Sequence, residues 1–171
     1  MQLTTSLSQI QLLATQKEQE NIRFAEYLRQ LNAEELDATV HTINKKVEPL
    51  IDCTQCGNCC KTLMIQVEEE EANTLAAALQ QERSSFDEAF LEKGSSGIMI
   101  INRMPCAFLS GTRCSVYEHR FSGCREFPGL HLPAFQKRIF TVMMHYDRCP
   151  IVFNVIEQLK QSLPETAAIV S

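Results

Sequence analysis

The chain has 171 residues, of which 44% are hydrophobic, so it can build a core without cross-links. Its net charge is −5 at pH 7 and its basic residues are scattered, which argues against a nucleic-acid binder. Its first residues lack a basic segment followed by a long apolar one, and no window approaches the roughly 18 uninterrupted apolar residues of a membrane span. We therefore predict a cytoplasmic protein with no nucleic-acid partner and no membrane partner.

Two helices are predicted before the first cysteine. The composition favours a helix from about residue 8 to residue 31, and Asn32 with Glu35 forms a capping box that opens a second helix. Pro49 ends this second helix. Its apolar residues recur at helical spacing: Leu36, Val40, Ile43 and Val47. We predict an N-terminal helical hairpin over residues 1–50 that packs its stripes against the body, with a protein-binding surface as the alternative.

Short helices and strands are predicted between the cysteines. The segment "TLMIQV" favours a short strand, and the glutamates after it favour a solvated helix start, because a helix N-terminus attracts negative charge. Ser85 and Glu88 form another capping box, and Gly94 is a helix stop. "GSSG" then predicts a turn and "IMIIN" a buried strand.

The last part of the chain is predicted to hold a strand and a helix. The segment "KRIFTVMMHY" is rich in β-branched and aromatic residues, which favours a strand. Proline at the first position of "PIVFNVIEQLKQSL" predicts a final helix directly after Cys149. The cysteine-cluster domain is predicted to span residues 51–163, and residues 164–171 are predicted to form a frayed tail.

Eight cysteines give the chain its most distinctive chemistry. Four of them fall within "CTQCGNCC", and the full set is Cys53, Cys56, Cys59, Cys60, Cys106, Cys114, Cys124 and Cys149. A reducing cytoplasm disfavours disulfides, whereas a thioredoxin-like pair and a cysteine–histidine nucleophile stay open as alternatives. A Cys-x-x-Cys turn supplies two thiolates from one loop, and Gly57 and Asn58 tolerate the left-handed angles that a tight loop needs. We therefore predict metal binding by thiolates.

The cysteine spacing favours an iron–sulfur cluster over zinc. Three cysteines at two-residue gaps with a distant Cys149-Pro150 are typical of iron–sulfur proteins, and the second knuckle of a zinc ribbon is missing. Zinc stays open, because thiolate-rich sites suit both metals. On this spacing the first three cysteines are predicted to be the costliest to replace, with Cys149 next. Cys60 is predicted to tolerate replacement, because its side chain diverges from that of Cys59.

Several spaced motifs resemble those of one family. They are Cys53-x-x-Cys56-x-x-Cys59-Cys60, Pro105-Cys106-x-Phe108-Leu109, Cys114-x-Val116-Tyr117, Arg120 followed by Cys124-Arg125-x-Phe127-Pro128, and Cys149-Pro150. On these motifs the chain resembles the YkgJ-type cysteine-cluster proteins, whose CxxCxxCC domain is described as chelating zinc or iron. Phe121 departs from the pattern, which usually has proline there. The resemblance covers about residues 53–150 and implies that all eight cysteines are metal ligands for an iron–sulfur cluster or zinc.

Two arginines of the last motif have two interpretations. Arg120 and Arg125 either anchor loops through backbone carbonyls and through carboxylates such as Glu118 and Glu126, or they offset the negative charge of a thiolate-bound metal. We prefer the second interpretation, because both arginines flank Cys124 closely. We therefore name Arg120 and Arg125 as cofactor-binding residues.

These features predict an α+β fold: a mostly helical single domain with a small sheet around a cysteine-bound metal site. The predicted function is metal chelation by a cysteine-cluster protein. The alternative is an enzyme, because the resemblance extends to a cysteine domain of flagellin lysine methylases. Such an enzyme would use the centre for redox chemistry or for modifying a protein substrate. No catalytic residue is predicted.

Overall fold

The computed structural model describes residues 3–163. Within them lie ten α-helices: α1 (Leu7–Gln16), α2 (Glu18–Leu28), α3 (Ala33–Val47), α4 (Cys53–Cys56), α5 (Cys59–Thr62), α6 (Glu69–Ala78), α7 (Arg83–Phe90), α8 (Ser122–Glu126), α9 (Phe135–Met143) and α10 (Pro150–Ser162). The same residues contain five short strands: β1 (Gln66–Val67), β2 (Leu91–Lys93), β3 (Met99–Ile101), β4 (Leu109–Ser110) and β5 (Arg113–Cys114). The protein is mostly helical with a small sheet, which confirms the predicted α+β class. The predicted frayed tail lies outside the described residues.

The described residues group into two compact units. The first unit takes in the described residues of Met1–Asp52 and Pro128–Ser171, and the second is Cys53–Phe127. The first unit therefore contains α1 to α3, α9 and α10, and the second contains α4 to α8 and the five strands. The domain borders predicted from the sequence stay predictions. Across residues 3–163, no helix combines the length and the apolarity of a membrane span.

Helix α3 makes the most extensive contacts within the first unit. The side chain of Asn32 accepts hydrogen bonds from the N–H groups of Glu34 and Glu35, at 3.0 and 3.1 Å, which confirms the predicted cap. The predicted apolar stripe is buried along its whole length: Leu36, Val40, Ile43 and Val47. The helix packs against α10 and α9, and it ends two residues before Pro49. Burial of each such side chain stabilises the unit by about 1.5–3 kcal/mol.

The helix predicted from residue 8 to residue 31 is interrupted once. Lys17 separates α1 from α2 and has φ −100° and ψ 14°. Helical hydrogen bonds continue on both sides, because the Lys17 N–H donates to the Leu13 carbonyl and the Lys17 carbonyl accepts from the Asn21 N–H. The helical character was therefore predicted correctly, and the break at Lys17 was missed.

The segment "KRIFTVMMHY" is helical, so the predicted strand is wrong. It supplies most of α9, in which Phe135, Ile139 and Val142 recur at helical spacing and are buried. The carboxylate of Asp37 accepts hydrogen bonds from the N–H groups of Ala134 and Phe135, at 2.7 and 2.8 Å, and so caps the helix start. The helical period of the buried residues and this distant cap outweigh the local β-branched content.

A charged network lies inside the first unit. Lys160, on α10, is 5% exposed and pairs with Glu20 of α2 at 2.5 Å and with Glu157 at 2.8 Å. Glu157 also accepts hydrogen bonds from Lys17 and, at 2.7 Å, from the Tyr146 hydroxyl. Burial acts to raise the pKa of Glu157, but the hydrogen bonds from the two lysines outweigh it and lower the pKa below its usual value. The network ties α2 to α10 through ion pairs that are largely shielded from solvent.

A three-stranded antiparallel sheet in the order β1-β3-β2 lies in the second unit. Gln66 of β1 pairs with Ile100, and Leu91 of β2 pairs with Ile101. The predicted buried strand in "IMIIN" is confirmed as β3, and the predicted strand in "TLMIQV" shrinks to the two residues of β1. The helix predicted after the glutamates is confirmed as α6.

Two helix boundaries predicted in the second unit are wrong, one start and one end. Helix α7 begins at Arg83, ahead of the capping box predicted at Ser85 and Glu88. Ion pairs between the Arg83 guanidinium and two nearby carboxylates stabilise this earlier start. Gly94 follows β2 instead of a helix, and its N–H donates to the Ile98 carbonyl at 2.9 Å in the turn to β3.

Aromatic side chains form the centre of the second unit's core. The ring of Phe90 lies 4.8 Å from that of Phe108 and 5.2 Å from that of Phe86, between centroids. Three cysteines pack against this core: Cys106, Cys114 and Cys124. The hydrophobic core therefore provides one wall for part of the cysteine cluster.

Candidate metal centre

The first four cysteines lie on the two short helices α4 and α5, which we call the knuckle. Gly57 joins them with φ +59°, and its N–H donates to the Cys53 carbonyl at 3.1 Å. Asn58 keeps a right-handed backbone, with φ −69°. A Cβ at Gly57 would lie 2.7 Å from the Thr112 carbonyl oxygen, so the turn requires glycine to pack against the loop of the β4–β5 hairpin.

Backbone contacts connect the knuckle to two further cysteines. The N–H of Cys106 donates to the carbonyl of Cys60 at 2.8 Å. The carbonyl of Cys106 accepts a hydrogen bond from the Leu109 N–H at 3.0 Å, and Leu109 pairs with Cys114 across the hairpin. Cys60, Cys106 and Cys114 are thus linked by one continuous set of backbone contacts. The hairpin escaped prediction because each of its strands is only two residues long.

Helix α8 positions Cys124. A Cβ at Gly123 would lie 3.2 Å from the Ile65 side chain, so α8 lies close to the chain that enters β1. The carboxylate of Glu71, on α6, accepts a hydrogen bond from the Ser122 N–H at 2.5 Å and caps the start of α8. This role could not be predicted from the sequence, because no local signal distinguishes Glu71 from its neighbouring glutamates.

The pKa values of four thiols are shifted, and the charge of Cys60 contributes to three of these shifts. Burial raises the pKa values of the thiols of Cys106, Cys114 and Cys124, that of Cys124 to about 12. The negative charge of Cys60 raises the pKa values of all three further. A hydrogen bond from the Cys59 side chain lowers the pKa of Cys60 itself to about 7. Cys60 is therefore the thiol that forms a thiolate most readily among these four.

The seven cysteines of the second unit fall into two groups. The inner thiols are Cys60, Cys106, Cys114 and Cys124, which influence one another electrostatically. The outer thiols are Cys53, which is exposed, and Cys56 and Cys59, which are half-buried. The side-chain hydrogen bond between Cys59 and Cys60 connects the two groups.

Cys149 belongs to the first unit. It is 7% exposed and directly precedes α10, whose first residue is Pro150 as predicted. Its N–H donates to the His145 carbonyl at 2.9 Å, and its carbonyl accepts from the Phe153 N–H at 2.9 Å. The role of Cys149 as a metal ligand stays a prediction.

The two arginines predicted to bind a cofactor both contact backbone carbonyls. The guanidinium of Arg120 donates to the Tyr117 carbonyl at 3.2 Å and lies 3.8 Å from the centroid of the Tyr117 ring. Arg125 donates to the Arg120 carbonyl and pairs with Glu71 at 3.5 Å. Burial raises the pKa values of the Cys114 and Cys124 thiols, and the positive charge of Arg120 opposes this effect without outweighing it. The anchoring contacts are thus present, and binding of a cofactor by either arginine stays a prediction.

A comparison with known families identifies the cysteine-rich region. Residues 52–150 match the model of the CxxCxxCC family, described as a "putative zinc- or iron-chelating domain". This match covers more than half of the chain. The chain belongs to the CxxCxxCC family. The predicted cofactor, zinc or an iron–sulfur centre, agrees with that description. No curated protein and no solved structure matches the chain significantly.

The donor chemistry of the CxxCxxCC domain suits a thiophilic metal. The eight cysteines, all within residues 3–163, form no disulfide, and four thiolates complete the ligand set of a structural zinc ion or of an iron–sulfur cluster. Among residues 3–163, no group of three or more His, Cys, Asp or Glu side chains is arranged so that it could hold a metal ion. The fit therefore rests on the kind and the grouping of the donors.

Proposed function

We propose that this CxxCxxCC domain binds a metal ion in a closed site formed by the inner thiols. The continuous backbone contacts from Cys60 through Cys106 to the hairpin carry this proposal, because they place the backbones of three cysteines from separate segments next to one another. Cys124 is included as the fourth thiol, because it packs against the same hydrophobic core as Cys106 and Cys114. Four thiolates at about 2.3 Å from zinc form a typical structural site.

The surroundings of the inner thiols support a structural role for the metal. Three of these thiols pack against the hydrophobic core of the second unit, and the strands of that unit are two or three residues long. Strands this short contribute little stability by themselves. A metal that joins four segments would stabilise the unit, because its binding free energy is then folding free energy. The protein is thus a binding module whose metal holds part of its fold.

Zinc is the metal that we propose for the inner thiols. Four protein ligands close the coordination sphere of zinc, as structural sites require. The spacing that favours an iron–sulfur cluster comes from the outer thiols and Cys149, so it gives no preference for iron at the inner thiols. Four thiolates around zinc leave a charge of about −2, which the nearby guanidinium of Arg120 would partly offset. The enzyme alternative stays a prediction.

Serine variants of two cysteines in the knuckle test this ligand set. We expect Cys60→Ser to lose the tightly bound metal, because it removes one of the four proposed thiolate ligands and keeps the backbone contact to Cys106. Cys53→Ser is the matched control, since it makes the same chemical change at an outer thiol, and it should keep that metal. Zinc and iron per chain would be measured by mass spectrometry after purification without oxygen.

The opposite result for the two variants would support the ranking predicted from the sequence, in which Cys53 is costly to replace and Cys60 is not. If Cys53→Ser loses the metal while Cys60→Ser keeps it, the inner thiols are not the ligands. A brown wild-type protein that contains iron and sulfide, and whose visible absorption bleaches on reduction, would replace zinc by an iron–sulfur cluster. That result would also revive the redox-enzyme alternative.

A further inference from the structure

We propose that helix α9 pairs with the same helix of a second copy of the chain, so that the protein forms a weak antiparallel dimer. The pairing surface consists of four residues, which we call the α9 seam: Lys137, Phe140, Met144 and Asp147. The seam contains no cysteine, so this proposal does not depend on metal binding.

The centre of the α9 seam is apolar and exposed. Phe140 is 70% exposed, the highest value among the large apolar residues of the described range 3–163, and Met144 is 50% exposed. The N–H of Met144 donates to the Phe140 carbonyl at 3.1 Å, so the two residues are neighbours along one side of the helix. Single exposed apolar residues are common, but an aromatic ring beside a methionine forms a patch that gains stability when it is covered.

Two charged residues extend the seam at both ends. Lys137 precedes Phe140 by three residues, and Asp147 follows Met144 by three residues. The seam therefore advances in steps of three, four and three residues, which is the spacing with which two helices pack along a common line. Backbone hydrogen bonds between residues three or four apart continue beyond α9 as far as Cys149, so the coiled path includes Asp147. Lys137 is exposed, and the side chain of Asp147 is 47% exposed.

The chemistry of the seam is complementary to itself. Phe140 and Met144 lie two residues on either side of Val142, and Lys137 and Asp147 lie five residues on either side of it. A two-fold axis at this point would place each Phe140 opposite Met144 of the second copy, where an aromatic ring and a thioether sulfur attract each other. It would also place each Lys137 opposite Asp147 of the second copy. A parallel pairing would instead bring like charges together, so the charges favour the antiparallel direction.

The size of the seam indicates a weak dimer. Asp147 pairs with Arg148 at 2.9 Å within the chain, but this pair joins two partly exposed side chains and contributes little. A carboxylate can accept further hydrogen bonds, so Asp147 can also bind a lysine of the second copy. The seam offers four residues per copy, whereas stable interfaces use about 20–30 residues on each side. We therefore expect association only at high protein concentration.

Sedimentation velocity of the full-length protein tests the seam, with a phosphine reducing agent present to prevent disulfide-linked dimers. Over a roughly hundredfold rise in protein concentration, the wild type should shift reversibly from monomer towards dimer. Phe140→Ser should weaken association by about tenfold or more, because each dimer loses two aromatic contacts at its centre. Leu12→Ser is the matched control, because Leu12 lies on α1 and is 59% exposed, and its replacement should leave association unchanged.

Exchange of the two charges tests the antiparallel direction. Lys137→Glu and Asp147→Lys should each weaken association by about fivefold, because each variant places like charges opposite each other at two points of the dimer. The double variant Lys137→Glu/Asp147→Lys should recover association close to that of the wild type, since the opposite charges are only exchanged. Unchanged melting temperatures would show that these variants are folded.

Three results would overturn the proposal. A wild type that stays monomeric at the highest concentration would exclude the second copy and leave the seam to a different protein. A dimer that Phe140→Ser does not weaken would exclude α9 as the interface. A double charge variant that associates no better than the single variants would exclude the antiparallel pairing of Lys137 with Asp147.

Discussion

The two units of this protein are built from different kinds of element. The first unit is built from helices of nine to fifteen residues, with the apolar stripe of α3 buried against α9 and α10. Its charged groups are paired around the buried Lys160. The second unit has strands of two or three residues, and half-buried thiols line part of its core. Long amphipathic helices can stabilise a unit without a ligand, whereas short strands gain most from an additional cross-link.

Removal of the metal should have the largest effect, because it should destabilise the second unit much more than the first. Binding of a structural zinc ion is worth about 10–16 kcal/mol in small zinc domains, so a strong chelator should unfold the second unit. The first unit should keep its helices, because its core contains no proposed metal ligand except Cys149. Amide hydrogen exchange, followed by mass spectrometry before and after chelation, would show which peptides lose protection.

The matched control for this experiment is the same chelator saturated with zinc, which should leave exchange unchanged. Equal loss of protection in both units would show that they fold as one cooperative body. Unchanged protection in residues 53–127 would remove the structural role of the metal.

A smaller effect is expected from Gly57→Ala. The left-handed backbone at φ +59° costs an alanine about 1–2 kcal/mol, and its Cβ would also clash with the Thr112 carbonyl oxygen at 2.7 Å. Gly111→Ala is the matched control, because φ is +64° there and no atom lies within 4 Å of the added Cβ. Chemical unfolding of the zinc-loaded protein should show a greater loss of stability for Gly57→Ala. Equal losses would mean that the hairpin contact contributes nothing.

The smallest effect concerns the first unit and pH. Burial opposes ionisation of Glu157, but hydrogen bonds from Lys160 and Lys17 lower its folded-state pKa below the unfolded value of 4.5. Its ionisation therefore stabilises the first unit above pH 4.5, and this contribution is lost as the pH falls through the lowered folded-state pKa. Glu157→Gln should be less stable at neutral pH and should lose less further stability on acidification. An identical pH dependence in both proteins would contradict this role.

Helices whose caps and buried residues are close in sequence were predicted correctly, whereas a helix capped by a distant residue was not. The cap at Asn32, the stripe of α3 and the helix after Pro150 follow from local patterns, and all were predicted. Helix α9 was mistaken for a strand, because its cap comes from Asp37, 97 residues before Ala134. Elements fixed by distant partners leave a weak local signal.

The same limit applies to the candidate site. The family motif identified the cysteine-rich region, and the eight cysteines could be read directly from the sequence. The spacing could not show which thiols lie together, because Cys60 meets Cys106 through a backbone hydrogen bond across 46 residues (106 − 60). The tolerance of Cys60 to replacement stays a prediction, and the hydrogen bond that joins the knuckle to Cys106 uses the backbone carbonyl of Cys60.

X-ray absorption spectroscopy of the bound metal tests the inner site most directly. The Cys53→Ser/Cys56→Ser variant is the best sample, because it lacks two of the outer thiols and keeps all four inner thiols. We predict an absorption edge at the energy of zinc. The zinc ion should have four sulfur neighbours at about 2.3 Å and no nitrogen or oxygen ligand. Nitrogen or oxygen ligands in place of sulfur, or an iron edge with an iron neighbour, would contradict a closed zinc site at Cys60, Cys106, Cys114 and Cys124.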